Sequence, residues 1–133
     1  MAETRPIHLV VITPERQVLD ERTDAVVIPA HDGELGVLKD RSALMCELGI
    51  GQLRYGPPGQ ARRLFIDGGF AQVYDNTVTV LTNRAVAAEE IKAETVRAFE
   101  GEVEKHTGTD AEARAAREAA QRRLSVVRSL SGA

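Results

Sequence analysis

The chain has 133 residues, of which 43% are hydrophobic and 28% charged, with a formal net charge of −3 and a pI near 5.6. This length fits one domain or a small domain with an appendage, and the acidic balance offers no overall basic field for nucleic acid. No apolar run reaches the roughly 18 residues of a membrane-spanning helix, and no signal or transit peptide is visible. The single cysteine, Cys46, fits a reducing compartment, so we expect a cytoplasmic protein with no membrane insertion of its own.

The first two thirds of the chain read as short strands, because apolar and β-branched runs alternate with groups of Gly, Pro, Asp and Asn. Asp75-Asn76 forms a two-residue hairpin link, since both side chains tolerate a positive φ. Eight to ten such strands favour a β sandwich or a flattened barrel. The predicted strands span residues 7–12, 17–20, 25–29, 34–38, 44–48, 52–55, 63–66, 70–74 and 77–81.

Two glycine-containing segments interrupt this pattern. Gly49-Ile50-Gly51 looks like the start of a dinucleotide-binding fingerprint, but Arg54 stands where the third glycine belongs. The segment also lies between strands and not before a helix, so we interpret it as a turn. Gly68-Gly69 precedes Phe70 and predicts a strand bend or a close approach of two backbones.

Beyond residue 86 the chain contains no proline and predicts two helices, which divides it into a β domain at 1–86 and a helical domain at 87–133. The first helix is expected from 88 to 105 and has no N-terminal capping residue. The second is expected from 110 to about 130, opened by a capping box in which Thr109 and Glu112 act reciprocally. Its predicted inner stripe is Ala113, Ala116, Ala120, Leu124 and Val127.

This inner stripe consists mostly of methyl groups, whereas a fully buried Leu or Val contributes about 1.5–3 kcal/mol. The helical hairpin should therefore be weakly held and able to rearrange when a partner competes for its faces. Its charge is segregated, because residues 88–105 hold six acids against three bases and residues 110–131 hold five arginines against three acids. Such an arginine-rich face would suit an acidic partner.

Residues with catalytic or metal-binding potential are few. His8, His31 and His106 fall in a strand, a turn and a loop without metal-ligand spacing. Cys46 lies in an apolar strand, where a small buried thiol is the simplest interpretation. We therefore predict no catalytic residue and no metal, and keep a small β-sandwich hydrolase using Cys46 or a His–Asp pair as the enzyme alternative.

Three segments together carry a family likeness: Val-Val-Ile-Pro-Ala-His-Asp-Gly-Glu-Leu-Gly-Val-Leu at 26–38, Gly-Gly-Phe-Ala-Gln-Val at 68–73, and Thr-Val-Thr-Val-Leu-Thr at 77–82, which leads to Glu89-Glu90-Ile91. In this order, before a two-helix tail, they resemble the epsilon subunit of F-type ATP synthase over essentially the whole chain. The resemblance implies a ten-stranded β sandwich followed by an antiparallel helical hairpin. In this family the non-catalytic sandwich lies at the foot of the rotating stalk, against the gamma subunit and the membrane-embedded c-ring.

The resemblance also implies a regulatory role, because the family's hairpin either lies folded on the sandwich or extends along gamma into the catalytic head and hinders ATP hydrolysis. Glu34 stands in the family's Gly-Glu-Leu-Gly turn, which faces the c-ring. Lys39 and Arg41 lie in the loop that follows, where residues 38–43 replace the common Leu-Pro-Gly-His-Ala-Pro. The arginines expected to meet acidic surface of the alpha and beta subunits are Arg117, Arg122, Arg123 and Arg128.

Some bacterial members of this family bind ATP through an apolar-Asp-x-x-Arg-Ala motif at the start of the second helix. Here one extra residue separates Asp110 from Arg114, and Thr109 takes the apolar place, yet i+3 and i+4 share one helix face. The leading hypothesis is a subunit that couples gamma to the c-ring during proton-driven ATP synthesis and restrains hydrolysis, peripheral on the inner face of a bacterial plasma membrane. The alternative is an ATP-sensing module whose hairpin closes on nucleotide.

Overall fold

The computed structural model describes residues 6–57 and 59–131. The strands come first along the chain and the helices follow. A short 3-10 helix links the two parts. The predicted class, a β sandwich followed by a C-terminal helical pair, is confirmed. The described elements are β1 (Ile7–Ile12), β2 (Gln17–Thr23), β3 (Ala25–Ala30), β4 (Gly33–Leu38), β5 (Leu44–Tyr55), β6 (Arg62–Tyr74), β7 (Thr77–Leu81), β8 (Ala85–Ala87), the 3-10 helix Ala88–Glu90, α1 (Ala93–Glu104) and α2 (Ala111–Leu130).

The strands form one sheet in the order β2-β1-β7-β6-β5-β3-β4, with β8 added on β6. All neighbours are antiparallel except β1 and β7. The sheet folds on itself around a core to which every strand contributes. We call β2, β1, β7, the first half of β5 and the last half of β6 the front layer, and the remaining strands and half-strands the back layer.

The crossing between the layers occurs inside β6, at two glycines in the left-handed region. Gly68 has φ 67° and Gly69 has φ 106°. Before them the even-numbered Leu64 and Ile66 face the core, and after them the odd-numbered Ala71 does. The strand therefore exchanges its inner and outer faces without leaving its hydrogen-bonded ladder.

The predicted close backbone approach at Gly68-Gly69 is confirmed, because a Cβ on Gly69 would fall on the main chain of Leu81 in β7. The gap between the predicted strands 63–66 and 70–74 is wrong, because β6 is continuous there, and so is the predicted turn at Gly49-Ile50-Gly51. Ile50 pairs with Asp67 and Gly51 with Ile66 inside a continuous β5–β6 ladder. Cross-strand hydrogen bonds along two long strands outweigh the local preference of glycine. Four of the nine predicted strands thus merge into two, and with β8 the described residues form eight strands where about ten were expected.

The remaining strand predictions agree with the structure or differ from it by a few residues. β1 and β7 have the predicted bounds, and the hairpin between β6 and β7 is confirmed, with Asp75 at φ 48° and Asn76 at φ 60°. β2 runs three residues further than predicted, to Thr23, because it is an edge strand in which consecutive charged residues can all remain exposed. The three-residue β8 was not predicted.

Both helix starts need correction. α1 begins at Ala93 and not at 88, because Ile91 and Lys92 are extended and Ile91 is buried. α2 is capped by Asp110 and not by Thr109, since the Asp110 carboxylate accepts from the Ala113 N–H at 2.7 Å. A carboxylate beside the first free N–H groups also interacts favourably with the helix dipole.

The hairpin packs on the outer surface of the back layer, where α2 contacts β5 and β6. Ala120, Leu124 and Val127 of the predicted stripe are buried, and Ala113 and Ala116 are half-buried. The hairpin does not rest on alanines, however, because a second apolar cluster forms around the C-terminal half of α2. This cluster contains Phe65, Ile91, Phe99, Leu124, Val127 and Leu130, with Ile50, Val86, Ala88, Val96, Val103 and Val126 at its edge.

Candidate docking surfaces and the hairpin interface

Large apolar side chains lie exposed on the outer surface of the front layer. Met45, Phe70, Tyr74 and Leu81 are between 51% and 68% exposed. The strand register places them on one face, with Phe70 opposite Leu81 and Met45 opposite Gln72. Half-buried Val10 and Ile12 of β1 border them, since Ile12 lies opposite Leu81. We call these six apolar residues the outer sheet face; contiguous exposed apolar patches are typical of interaction sites.

A shallow cleft of about 560 Å³ opens at one end of the outer sheet face. Ile12 and Pro14 line one side, and Phe70, Leu81 and Asn83 line another. Its walls are mostly apolar, and it has room for a projecting side chain of a partner. Concave, largely apolar sites with a few polar groups are typical binding positions.

The three residues assigned to the c-ring side do not lie together. Glu34 is at the β3–β4 hairpin and binds Arg54 at 2.7 Å. Lys39 follows the far end of β4, roughly 16 Å away along the strand, and pairs with Asp24 at 3.3 Å. Arg41 is exposed in the same loop and makes no ion pair within 6–57 and 59–131. Glu34 and the two cations therefore mark opposite ends of the sandwich.

The loop that carries Lys39 and Arg41 is fixed to the β6–β7 hairpin. The Asp40 N–H donates to Asn76 Oδ1 at 2.6 Å, and Asn76 Nδ2 donates to Asp40 Oδ1 at 3.2 Å. Asp40 has φ 65°, a conformation that Asp and Asn tolerate better than most residues. Both cations are thus held at a defined end of the molecule.

The hairpin arginines differ in how they are engaged. The Arg117 guanidinium donates to the main-chain carbonyls of His106, at 2.9 Å, and Gly108, and so closes the loop between the helices. Arg128 pairs with Glu100 of α1 at 2.6 Å. Arg122 is exposed and has no ion pair in the described part of the chain. The fourth, Arg123, points to the sandwich.

Arg123 belongs to a cluster of four charges that the sequence did not predict. Its Nε donates to Oδ1 of the buried Asp67 at 2.9 Å, and Arg84 Nε donates to Oδ2 of the same carboxylate at 3.3 Å. The Arg84 guanidinium also binds Glu102 of α1 through two hydrogen bonds, at 2.7 and 3.0 Å. We call Asp67, Arg84, Glu102 and Arg123 the charge cluster.

Hydrogen bonding between Arg84 and Glu102 favours the ionised forms of these two residues. Hydrogen bonds from Arg84 hold the pKa of Glu102 below its ordinary value, against a smaller opposing effect of burial. The same hydrogen bonds raise the pKa of Arg84. Arg84 also lies over the Phe99 ring, with 4.6 Å from Cζ to the ring centre, and Phe99 meets Phe65 edge to face at 5.3 Å. The cluster is therefore continuous with the apolar contact beneath the hairpin.

One signal in the sequence pointed to this cluster. Asp67 follows the apolar run Leu64-Phe65-Ile66 inside a strand, where a lone carboxylate needs a partner when it is buried. Its partners could not be assigned, because Arg84 and Arg123 are 17 and 56 residues away. Arg123 was assigned instead to partner binding.

The proposed nucleotide pair is not formed in this state. The Asp110 carboxylate caps α2, and the Arg114 main-chain N–H donates to the Asp110 carbonyl at 3.0 Å. The Arg114 side chain is exposed and makes no ion pair within the described residues. The two side chains are therefore one helical turn apart, but the Asp110 side chain caps the helix whereas the Arg114 side chain extends into solvent.

The enzyme alternative rests on a His–Asp pair and on the Cys46 thiol. His8 Nε2 lies 2.6 Å from Asp20 Oδ1 on the exposed surface of β1 and β2. Burial, with a contribution from Asp32, raises the pKa of the Cys46 thiol, which disfavours the reactive thiolate. No group of His, Cys, Asp and Glu suited to a metal occurs among the described residues. Nor does any described helix have the length and apolar character needed to cross a membrane.

Comparisons with known proteins agree with this architecture. Residues 6–88 match the family described as the β-sandwich domain of the ATP synthase delta/epsilon chain. Within that class, the chain belongs to the epsilon chains of F-type ATP synthase, which confirms the resemblance seen in the sequence. It is similar to the ATP synthase epsilon chain of Nitratidesulfovibrio vulgaris strain Miyazaki F, at 42% identity over 70% of this chain and 69% of that relative. The epsilon chain of Desulforapulum autotrophicum is 40% identical over 96% of this chain and 98% of its own.

Two solved structures have a similar fold. A chain of the Euglena gracilis mitochondrial ATP synthase, in a structure of OSCP, F1 and the c-ring, aligns with a TM-score of 0.76 and 28% identity. That alignment covers 97% of this chain and 83% of the Euglena chain. A chain of the Tetrahymena thermophila enzyme aligns with a TM-score of 0.65 over 98% of both chains; at 18% identity it shares the fold alone.

Proposed function

We propose that this chain is a non-catalytic subunit of the central stalk of an F-type ATP synthase, where it couples gamma to the c-ring during proton-driven ATP synthesis. The observation that carries the proposal is the outer sheet face, an apolar surface on a chain of the epsilon family. The related Tetrahymena structure is described as central stalk and c-ring, and the Euglena structure as OSCP, F1 and c-ring. The β domain, 1–86, is the docking part, and residues 87–133 are the regulatory part.

Gamma is the proposed occupant of the outer sheet face. Phe70 and Tyr74 are large aromatic side chains that lie more than half exposed, and Leu81 and Met45 extend the same surface. Complete burial of one such side chain contributes about 1.5–3 kcal/mol, and aromatic side chains are enriched among the residues that dominate binding energy. A partner that covers this face would gain most of its affinity there.

The polar ends of the sandwich are the proposed contacts with the c-ring. Glu34, together with Arg54, presents a charged pair at the β3–β4 hairpin. Lys39 and Arg41 present positive charge at the other end, on a loop fixed by Asn76. Charged contacts of this kind steer association and set register more than they add affinity. Through the ring, the subunit would be peripheral on the cytoplasmic side of a bacterial plasma membrane.

The hairpin is the proposed restraint on ATP hydrolysis. It packs on the back layer, away from the outer sheet face, so it can leave while the sandwich stays docked. When it leaves, Arg123 loses Asp67 of the sandwich, whereas Arg117 and Arg128 keep their partners within the hairpin. With Arg122, these arginines make α2 a basic surface that would meet acidic regions of the alpha and beta subunits.

Docking is tested by co-purification of the full-length chain with gamma. Phe70→Glu places a charge at the centre of the outer sheet face, and we expect it to abolish co-purification. Leu38→Glu is the matched control, because Leu38 is 66% exposed but lies on β4, outside this face. Equal binding of both variants, or equal loss, would contradict gamma as the occupant.

Restraint of hydrolysis is tested with the reconstituted complex. Arg122 is exposed and makes no ion pair in the described residues of the folded hairpin, so Arg122→Gln changes the extended contact alone. We expect faster ATP hydrolysis than with the unchanged chain, whereas Arg97→Gln, at an exposed position of α1, should leave the rate unchanged. The same rate for all three chains would argue against the restraint.

ATP is the alternative ligand, and it is favoured by one observation. Arg114 is a free cation in the described part of the chain, within the first turn of α2, where anions are stabilised. Calorimetric titration of the full chain with millimolar ATP should give heat that Arg114→Ala removes. No heat, or heat unchanged by the substitution, would exclude this site.

A further inference from the structure

The charge cluster spans the boundary between the sandwich and the hairpin. Asp67 in β6 and Arg84, just before β8, belong to the sandwich. Glu102 in α1 and Arg123 in α2 belong to the hairpin. Each side of the boundary therefore contributes one negative and one positive charge, and each pair is neutral by itself.

In the folded state the shorter contacts cross this boundary. Arg123 reaches Asp67 at 2.9 Å, and Arg84 holds Glu102 with two hydrogen bonds at 2.7 and 3.0 Å. The contact within the sandwich, from Arg84 to Asp67, is longer, at 3.3 Å. Charge-assisted and bidentate hydrogen bonds are among the stronger polar contacts in proteins. The sandwich thus holds α1 through Arg84 and α2 through Asp67.

The burial of Asp67 explains why this carboxylate has two arginine partners, one on each side of the boundary. The Asp67 side chain is only 8% exposed, and a buried carboxylate that loses its sole partner is strongly destabilising. Asp67 keeps Arg84 when the hairpin departs, because both belong to the sandwich. The main chain supports this pair, since the Asp67 N–H donates to the Arg84 carbonyl at 3.1 Å.

We propose that the charge cluster is a latch that opens into two neutral pairs, Asp67–Arg84 on the sandwich and Glu102–Arg123 on the hairpin. The latch makes α1 and α2 leave together, because each helix carries one of the two crossing contacts. It also spares the sandwich an unpaired buried charge after release. This inference deepens the proposed function, since it gives the hairpin's regulation a defined set of residues.

Hydrogen exchange of the full-length chain tests the latch. Arg123→Gln should speed exchange of both α1 and α2 amides by about tenfold, a change typical of loss of one coupled charged contact. Arg122→Gln is the matched control, because it removes the neighbouring arginine, which lies outside the cluster, and should leave exchange unchanged. Amides of β1 and β7 report that the sandwich stays folded. Acceleration confined to α2, or equal effects of both variants, would overturn the latch.

Two further variants distinguish the contacts that cross the boundary from the Asp67–Arg84 pair within the sandwich. Asp67→Asn combined with Arg123→Gln should accelerate hairpin exchange no more than either single change, because both remove the same contact. Arg84→Gln should speed exchange in the hairpin and in β6, since it removes a partner from both sides. An additive double variant, or an Arg84→Gln chain with β6 unaffected, contradicts the proposal. These measurements use the isolated chain, so they can fail while docking to gamma and restraint of hydrolysis succeed.

Discussion

At the scale of single residues, the interface between hairpin and sandwich contains a buried side-chain oxygen without a hydrogen-bond partner among the described residues. Gln52 Oε1 is buried and has no hydrogen-bond partner in the described residues. Gln52 pairs with Phe65 across the strands and so shares the face on which the hairpin packs. A buried acceptor without a partner costs about 1–3 kcal/mol, and this cost favours the released state, in which water reaches the amide.

Gln52→Leu should therefore stabilise the folded hairpin. The substitution removes the orphaned oxygen and adds apolar contact, and we expect a gain of about 1 kcal/mol or more in the free energy of unfolding. Urea denaturation of the full chain measures it. Gln72→Leu, on the exposed surface of β6, is the control and should give no such gain. A loss of stability with Gln52→Leu would mean that the amide has a partner.

Glu102 should make the folded hairpin sensitive to acid. Hydrogen bonds from Arg84 lower its pKa in the folded state, with Arg123 and Lys105 acting in the same direction and burial opposing them. The unfolded state then binds the proton more readily, so stability from this group is present above about pH 4.5 and is lost as the pH falls further. Glu102→Gln should unfold more easily than the unchanged chain at pH 7 and show a shallower loss towards pH 3. Thermal melting across this range checks the slope, and parallel curves would contradict the assignment.

At the scale of elements, the local sequence pattern was sufficient to predict a strand or helix wherever the element buries residues at regular spacing. The alternating residues of β1 and β7 gave their bounds, and the spacing of Leu124 and Val127 gave the buried face of α2. Glycine misled the prediction in β5 and β6, because its local preference is for turns whereas its role here is to let two backbones approach. The docking surface and the charge cluster could not be read locally, since both depend on strand register and on helix position.

The crossing in β6 requires glycine at position 69. Gly69→Ala would place a methyl group on the main chain of Leu81 and would force a side chain into φ 106°. We expect destabilisation of at least about 2 kcal/mol, measured by urea denaturation. Gly36→Ala in β4 is the control, because nothing lies within 4 Å of the added atom. A similar small effect at both positions would show that the crossing tolerates a side chain.

The cap of α2 distinguishes two adjacent residues. Asp110→Ala should destabilise the helix by about 1 kcal/mol, since its carboxylate accepts from the Ala113 N–H. Thr109→Ala should change little, because the cap position belongs to Asp110. Helical circular dichroism during thermal unfolding compares the two. The reverse order of effects would restore the capping box expected from the sequence.

At the scale of the whole molecule, the outer sheet face and the hairpin lie on opposite layers. Phe70 on the front layer and Phe65 on the back layer are five positions apart in the same strand. The core between the layers is continuous and includes Leu64, Ile66 and Ala71 of that strand. Sequence predicted both halves of the molecule and their order along the chain. It could not predict that one strand would serve both surfaces.

The glycine crossing in β6 has a consequence for how the length of this chain can vary. Two surfaces joined by a loop can tolerate added residues between them. Here the outer sheet face and the surface under the hairpin are joined by β6, a strand paired along its length. An added residue at Gly68 or Gly69 would shift every later pairing of β6 with β5 and β7 and would turn Phe70 inward. The number of residues between the two surfaces is therefore fixed, and changes in length are confined to connections between elements, such as the loop at 105–110.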